Sequence, residues 1–161
     1  MARSDTCAPV TTKAVWEYSL TRRKTMELRE DQRVNEPAGI AAFLRGLGLA
    51  DKEQEYFYVV FLDTKNGIKG YSLVTIGLVD RTQVHAREVF RGAVLQGSSR
   101  ILLAHNHPSG DCTPSALDIA TTRQLVEAGK IVGIDVLDHV IIGQPSATGR
   151  DWLSFREQCL M

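Results

Sequence analysis

Apolar residues along this chain follow two spacings that predict different secondary structures. In three segments the apolar residues recur roughly every three to four positions, as in helices with one buried face. This spacing predicts helices over residues 36–47, 88–96 and 113–129. In other segments the apolar residues form short continuous runs, which are typical of buried strands. These runs predict strands over residues 56–62, 70–78, 101–105, 134–142 and 152–155. A looser alternation predicts a further edge strand over residues 13–20.

Turn and capping residues indicate where several of these elements begin. Asn35 has the chemistry of an N-cap and Pro37 follows it early in the first helix, while Thr113-Pro114 has the same form before the third helix. Asn66-Gly67 is a strong signal for a hairpin that joins two strands. The order of the elements then predicts an α/β domain in which a mixed sheet lies between helices.

Length and composition limit what the chain can be. Its 161 residues, 43% hydrophobic and 24% charged, match one globular domain. We expect residues 1–12, which are small and polar, to form a disordered leader and residues 13–161 to form a single domain. The formal net charge is +0, so no overall attraction to nucleic acid or to an anionic membrane is built in.

Cysteine content and hydropathy indicate the compartment. The three cysteines, Cys7, Cys112 and Cys159, are widely spaced and form no C-x-x-C pair, so neither a disulfide framework nor a thiolate zinc knuckle is predicted. No apolar run approaches the roughly eighteen residues that a membrane span requires. We therefore expect a cytoplasmic protein with no membrane association.

One short segment carries the specific chemistry. His105 and His107 are two positions apart near a strand end, so both imidazoles point to the same side of an extended chain. Pro108 and Gly110 favour a turn toward the next helix, where Asp118 can supply a third ligand. Two imidazoles and one carboxylate suit Zn²⁺ and leave a fourth position for water, as catalytic zinc sites do. The sequence thus predicts a hydrolytic zinc site.

Residues 105–118 resemble the JAMM metal motif of the JAB1/MPN superfamily. More closely, the chain resembles the bacterial RadC family, through residues 61–66, 85–90, 105–118 and 128–139, over about residues 36–157. The resemblance implies a three-layer α-β-α fold of the MPN type, distantly similar to cytidine deaminases. It also implies a zinc metalloprotease or isopeptidase.

The same resemblance suggests which residues assist the metal. JAMM proteins have a glutamate at the start of the first hairpin strand, and Glu55 matches that place, with Glu53 and Glu88 as rivals. The glutamate would act as the general base, and Ser115 would stabilise the developing oxyanion. Ser115 and Asp118 also have the spacing of a helix capping box, which is a structural explanation for the same pair.

Three further residues have open interpretations. RadC proteins usually have His-Pro where His85 is followed here by Ala86, and we interpret His85 as a surface or capping histidine rather than a fourth ligand. His139 lies in an apolar run and is interpreted as a core histidine or as a partner of a metal ligand. Cys112 stands where the family commonly has proline, and a thiol that competes for zinc is a hypothesis.

The leading hypothesis is a zinc-dependent hydrolase, peptidase-like or isopeptidase-like, in which zinc-bound water attacks a carbonyl of an unidentified peptide or protein. A nucleobase deaminase is disfavoured because His-x-Glu and Pro-Cys-x-x-Cys are absent. The alternative is a non-enzymatic role, in which a RadC-like protein binds DNA, a repair protein or a mobile-element partner. RadC proteins carry a historical DNA-repair label and a helix-hairpin-helix segment before this domain, and we expect the residues preceding the domain here to be too few to hold one.

Overall fold

Three helices and five strands make up the described part of the computed structural model, which covers residues 23–24, 36–77, 84–144 and 150–161. The helices are α1 (Pro37–Gly46), α2 (Ala86–Leu95) and α3 (Ala116–Val132). The strands are β1 (Tyr56–Leu62), β2 (Ile68–Ile76), β3 (Arg100–Asn106), β4 (Asp135–Ile142) and β5 (Trp152–Ser154). The predicted leader over residues 1–12 and the predicted edge strand over residues 13–20 lie outside the described residues. Within those residues, no helix has the length and apolar character that crossing a membrane requires.

The five strands form one mixed sheet in the order β2-β1-β3-β4-β5. β1 is antiparallel to both β2 and β3, β3 and β4 are parallel, and β5 is antiparallel to β4. Parallel neighbours need a crossover connection, which α3 supplies between β3 and β4. The mixed central sheet predicted from the sequence is confirmed.

Apolar side chains cover both faces of the sheet, because successive residues of a strand point to opposite sides. One face packs against α1, with a core that includes Leu44 and Leu102. The opposite face packs against α2 and α3, with a core that includes Phe90, Leu103 and Leu125. The result is the three-layer α-β-α arrangement that the resemblance implied.

α3 begins later than the sequence predicted, since Thr113 was expected to cap the helix and Pro114 to begin it. Thr113 donates its backbone N–H and its hydroxyl to Oδ1 of Asp111, at 2.9 and 2.7 Å, so it closes a turn instead of capping the helix. Ser115 is the N-cap, and its hydroxyl oxygen accepts from the Asp118 N–H at 3.1 Å. The Asp118 carboxylate accepts from the Ser115 N–H at 2.8 Å, so the predicted capping box is confirmed.

The first helix begins one residue later than predicted, at Pro37. Glu36 rather than Asn35 occupies the N-cap position, and its side chain makes no capping hydrogen bond. Proline explains this start because its fixed φ and missing N–H suit the first turn of a helix.

The turn after β1 closes earlier than predicted. Oδ1 of Asp63 accepts the N–H groups of Lys65 and Gly67, at 2.7 and 2.8 Å. Strand pairing therefore resumes at Ile68, two residues before the predicted start of β2.

α3 approaches the start of β4 closely because Gly129 has no side chain. A Cβ at Gly129 would lie 2.5 Å from the carbonyl oxygen of Ile134 and 3.3 Å from Cζ of Phe90. This contact holds the helix that carries Asp118 against the sheet.

We expect Gly129→Ala to lower the free energy of unfolding by about 1–3 kcal/mol, because overpacking outweighs the helix propensity that alanine adds. Gly39→Ala in α1 is the matched control, since a Cβ at Gly39 meets nothing within 4 Å. The control should raise stability by up to about 1 kcal/mol. Urea denaturation followed by circular dichroism measures both changes, and a stabilising Gly129→Ala would contradict the close contact.

Candidate metal centre

Two elements bring the predicted ligands together at one end of the sheet. β3 carries His105 on the face that packs against α3, and His107 follows directly after the strand. The loop then reverses at Gly110, whose φ is 84° and whose N–H donates to the carbonyl of His107 at 2.9 Å. Asp118 lies in the first turn of α3, so the loop places its carboxylate beside the two imidazoles.

The three side chains are spaced as ligands of one small cation. Nε2 of His105 lies 3.0 Å from Nε2 of His107. The Asp118 carboxylate oxygens lie 3.5 Å from Nε2 of His105 and 3.6 Å from Nε2 of His107. Ligands about 2.0–2.2 Å from a tetrahedral ion are about 3.3–3.5 Å apart, so this triangle matches the size of a zinc site.

The hydrogen bond on the far side of His107 determines which nitrogen carries its proton. Nδ1 of His107 lies 2.6 Å from the backbone carbonyl oxygen of Asp111. A carbonyl can only accept, so Nδ1 carries the hydrogen and donates it. In the neutral ring, Nε2 is left with a lone pair that faces His105.

A buried relay determines the proton of His105 in the same way. The Thr122 hydroxyl donates to the Asp118 carbonyl at 2.6 Å, so toward His139 Nδ1, also at 2.6 Å, it must accept. His139 is then protonated on Nδ1 and bare on Nε2, which lies 2.7 Å from Nδ1 of His105. His105 therefore donates from Nδ1 and leaves its own Nε2 unprotonated.

Both networks thus leave two nitrogen lone pairs facing each other across 3.0 Å. Two acceptors at that distance repel unless a metal ion or a proton lies between them, and the Asp118 carboxylate adds negative charge to the same point. Two neutral imidazoles and a carboxylate are the nitrogen and oxygen ligands that Zn²⁺ takes in open catalytic sites. The donor set therefore fits the predicted metal.

Burial and charge move the pKa values of these groups in opposite directions. Burial lowers the pKa of His105 to about 4 and outweighs the attraction of Asp118. The Asp118 carboxylate, 3.6 Å from Nε2, raises the pKa of His107, and the nearby charge of Glu55 adds to that rise. Burial alone would raise the pKa of Asp118, but the contacts with His107, His105 and Ser115 hold it below its usual range.

The predicted assisting residues lie near this cluster. Glu55 immediately precedes β1, is half-buried, and is close enough to His107 to influence its pKa. Ser115 is exposed, and its hydroxyl donates to Oδ2 of Asp118 at 2.7 Å. Ser115 therefore orients the aspartate, and its role at an oxyanion stays a prediction.

The rival glutamates have other surroundings. Glu53 is exposed in the loop before β1. Glu88 lies in the first turn of α2, where its carboxylate pairs with Arg87 at 3.5 Å and Arg91 at 3.4 Å. These surroundings favour Glu55 among the three candidates.

The remaining histidines and Cys112 have structural explanations. His85 is exposed at the N-cap position of α2 and makes no capping hydrogen bond with its side chain. His139 is both a core residue and the partner of His105. The Cys112 thiol lies 3.6 Å from the carbonyl oxygen of Arg150. Among the described residues, the group that could hold a metal consists of His105, His107 and Asp118, without Cys112.

Sequence reasoning missed two polar residues of the site. Thr122 lies four positions after Asp118 on α3, a spacing that places both on one helix face, and this was the available signal. Asn106 lies between the two histidines, where a strand residue points to the opposite face of the sheet. The sequence offered no indication of what Asn106 contacts.

A mixed sheet between helices, with His-x-His at the end of a central strand and an aspartate at the start of the next helix, defines a JAB-type domain. The chain belongs to the RadC family, since the model of the RadC-like JAB domain matches residues 34–160.

Curated relatives named UPF0758 protein agree with this assignment. The one from Methanosarcina acetivorans is 42% identical over 127 residues, which is 78% of this chain and 55% of that protein. The one from Chlorobaculum tepidum is 35% identical over 144 residues, 89% of this chain and 62% of that protein. The one from Desulfitobacterium hafniense is 52% identical over 91 residues, 56% of this chain and 40% of that protein. The chain spans about half the length of the curated relatives it matches.

The relay predicts that His139 strengthens metal binding without touching the metal. His139→Phe keeps an aromatic ring between Phe57 and Phe155 but removes both hydrogen bonds. Because His105 loses the acceptor that orients it, we expect zinc affinity to fall about 10–100-fold in a chelator competition assay. Phe155→Leu, which changes the same packing and keeps the hydrogen bonds, is the control. Equal losses in both variants would attribute the effect to packing.

The buried histidines also predict a loss of stability in acid for the metal-free protein. Burial lowers the pKa of His105 to about 4 and holds the pKa of His139 well below its ordinary value. Unfolded histidines take up protons near pH 6.5, so stability falls as the pH drops from about 6.5 toward 4, with about 3 kcal/mol due to His105.

The two other members of the cluster, His107 and Asp118, do not add to the loss of stability between about pH 6.5 and about pH 4. His107, with its raised pKa, contributes stability that is complete below about pH 6.5 and is lost as the pH rises. Asp118, with its lowered pKa, keeps its contribution above about pH 3.9. Urea denaturation in excess chelator at about pH 7 and about pH 4.5 measures the change, which His105→Gln should reduce. Equal midpoints at the two pH values in the unsubstituted protein would refute this explanation.

Proposed function

We propose that this domain is a zinc-dependent hydrolase that cleaves an amide bond in a peptide or protein. The observation that carries the proposal is the convergence of the Nε2 atoms of His105 and His107, 3.0 Å apart, beside the Asp118 carboxylate. Membership of the RadC-like JAB domain family supports it, because JAB domains commonly bind zinc. Zinc in such a site would lower the pKa of a bound water toward about 7 and polarise a substrate carbonyl.

The residues of the chain have separate roles in this proposal. His105, His107 and Asp118 would hold the metal, and the hydrogen bonds to His139, Asp111 and Ser115 orient them. Glu55, half-buried beside His107, takes a proton from the attacking water and returns it to the leaving nitrogen.

The ligand cluster is accessible to a substrate from one side. Ser115 and Leu117 are exposed at the start of α3, and His107 is only partly buried, whereas His105 is buried. The ligand cluster therefore reaches the surface on the side of His107 and Ser115. An extended peptide can approach from that side, with the Ser115 hydroxyl in reach of the developing oxyanion once it turns away from Asp118.

We expect purified protein to contain about one equivalent of zinc and to cleave members of a library of quenched fluorescent peptides that includes isopeptide-linked ones. Asp118→Ala should lose both zinc and activity. Glu55→Gln should keep zinc and lose turnover by about 10²–10⁴-fold, because the general base is absent. Glu53→Gln, an exposed neighbour, is the matched control and should keep both.

The same preparation tests the alternatives. A zinc-replete Glu55→Gln variant with full activity would eliminate Glu55 as the base, and a wild-type protein that takes up no zinc would refute the proposal. Binding of duplex DNA that persists at physiological salt, without hydrolysis of any peptide, would favour the DNA-associated role instead.

A further inference from the structure

Asn106 makes an unusual set of contacts for a residue between two metal ligands. Its side chain is buried, with 1% of the residue exposed, and points away from the imidazoles because neighbouring strand residues face opposite sides. Oδ1 accepts from the N–H of Tyr56 at 2.8 Å. Nδ2 donates to the carbonyl oxygens of Gln54 at 3.0 Å and Lys52 at 3.3 Å. Every polar atom of the amide is therefore bonded to the segment that enters β1.

These bonds bracket Glu55. The backbone pairing of β1 with β3 ends at Phe57 and His105, and the Asn106 amide supplies the contact one position further along. The Asn106 amide binds Gln54 and Tyr56, the two residues that flank Glu55. The backbone at Glu55 is therefore held by β3, the strand that carries His105.

The other side of the same segment is held by Gly77, the residue that follows β2. The carbonyl of Glu55 accepts from the N–H of Gly77 at 2.9 Å. Gly77 has a φ of 115°, a conformation that residues with a side chain rarely adopt. Glu55 therefore sits on a backbone that is tied to both neighbouring strands, with its charge close to His107.

We propose that Asn106 is a positioning residue that holds the Glu55 carboxylate at a defined place beside the metal ligands. The inference rests on the proposed function, in which Glu55 is the general base. The two histidines face one side of β3 while Asn106 faces the other, so a single tripeptide places both the ligands and the base. The position of Glu55 relative to the two histidines is then determined by β3.

The test measures where Glu55 lies, independently of hydrolysis. Co²⁺ is bound in place of zinc, and the paramagnetic relaxation of the Glu55 carboxyl carbon, which depends steeply on its distance from cobalt, is measured by NMR. Asn106→Ala removes all three contacts, and the nearly isosteric Asn106→Asp keeps only the acceptor for Tyr56. Leu102→Ala, a buried change on the same strand and face, is the control for general destabilisation.

We expect both Asn106 variants to bind cobalt and to show a changed relaxation rate at Glu55, while Leu102→Ala matches the unsubstituted protein. Unchanged relaxation at Glu55 in both Asn106 variants would overturn the inference. So would loss of cobalt binding in both variants with normal binding by Leu102→Ala, since Asn106 would then support the ligands and not the base. Failure of the unsubstituted protein to bind cobalt would instead count against the proposed function.

A kinetic arm uses any peptide that the library identifies as a substrate. A displacement of about 1 Å can lower turnover about a hundredfold, so Asn106→Ala should reduce kcat by up to that factor with zinc content unchanged. If Asn106 acts through Glu55, the double variant with Glu55→Gln should be no slower than Glu55→Gln alone. Multiplicative losses in the double variant would show that Asn106 acts independently of Glu55.

Discussion

The arrangement of protons in the buried network around His105 is the constraint on which the site depends. The Asp118 carbonyl only accepts, whereas Thr122, His139 and His105 each donate on one side and accept or face the site on the other, so the direction of the Thr122 hydroxyl determines the rest. An unmet donor or acceptor in this buried region would cost about 1–3 kcal/mol, so the arrangement is strongly held. Nε2 of His105, which faces His107 and Asp118, is thereby left without a proton by hydrogen bonds that begin on α3. Asp118 takes part twice, since its carbonyl starts the relay and its carboxylate lies beside the two imidazoles.

The alternation of side chains along β3 organises everything around that network. Leu103 and His105 face α2 and α3, whereas Leu102 and Ala104 face α1. The strand is buried on both sides, so its apolar residues anchor it in two cores. Its last two residues, His105 and Asn106, are polar and make the hydrogen bonds of the site. A small displacement of β3 would disturb both cores, which explains how a site at a strand end stays well placed.

Much of the fold and the convergence of His105, His107 and Asp118 could be predicted because the signals are local. The apolar runs located β1, β3 and β4 to within one residue, and the spacing of His105, His107 and Asp118 along one strand, one turn and one helix sufficed to bring them together. The start of α3 was predicted too early, because Thr113 has the chemistry of an N-cap and its preference for Asp111 is visible only once the loop is folded. The contacts of Asn106 link residues about fifty positions apart and depend on which strands become neighbours.

The position of His139 shows most clearly where alternation along a strand fails. In β4, Val136 pairs with Ile101, but Asp138 pairs with Leu102, so one extra residue, Leu137, lies in the strand. Without this bulge His139 would pair with Ala104 and face α1; with it, His139 pairs with Leu103 and faces His105.

Asp138 holds the irregular segment in place. Its carboxylate accepts from the N–H of His139 at 2.7 Å, from the Ser154 hydroxyl at 2.6 Å and from the N–H of Arg156 at 3.0 Å. Although burial raises the pKa of Asp138, these three donors compensate its desolvation. A buried aspartate beside β5 thus maintains the register that brings His139 to His105, and the lone pair on Nε2 of His105 depends on contacts made on the far side of β4.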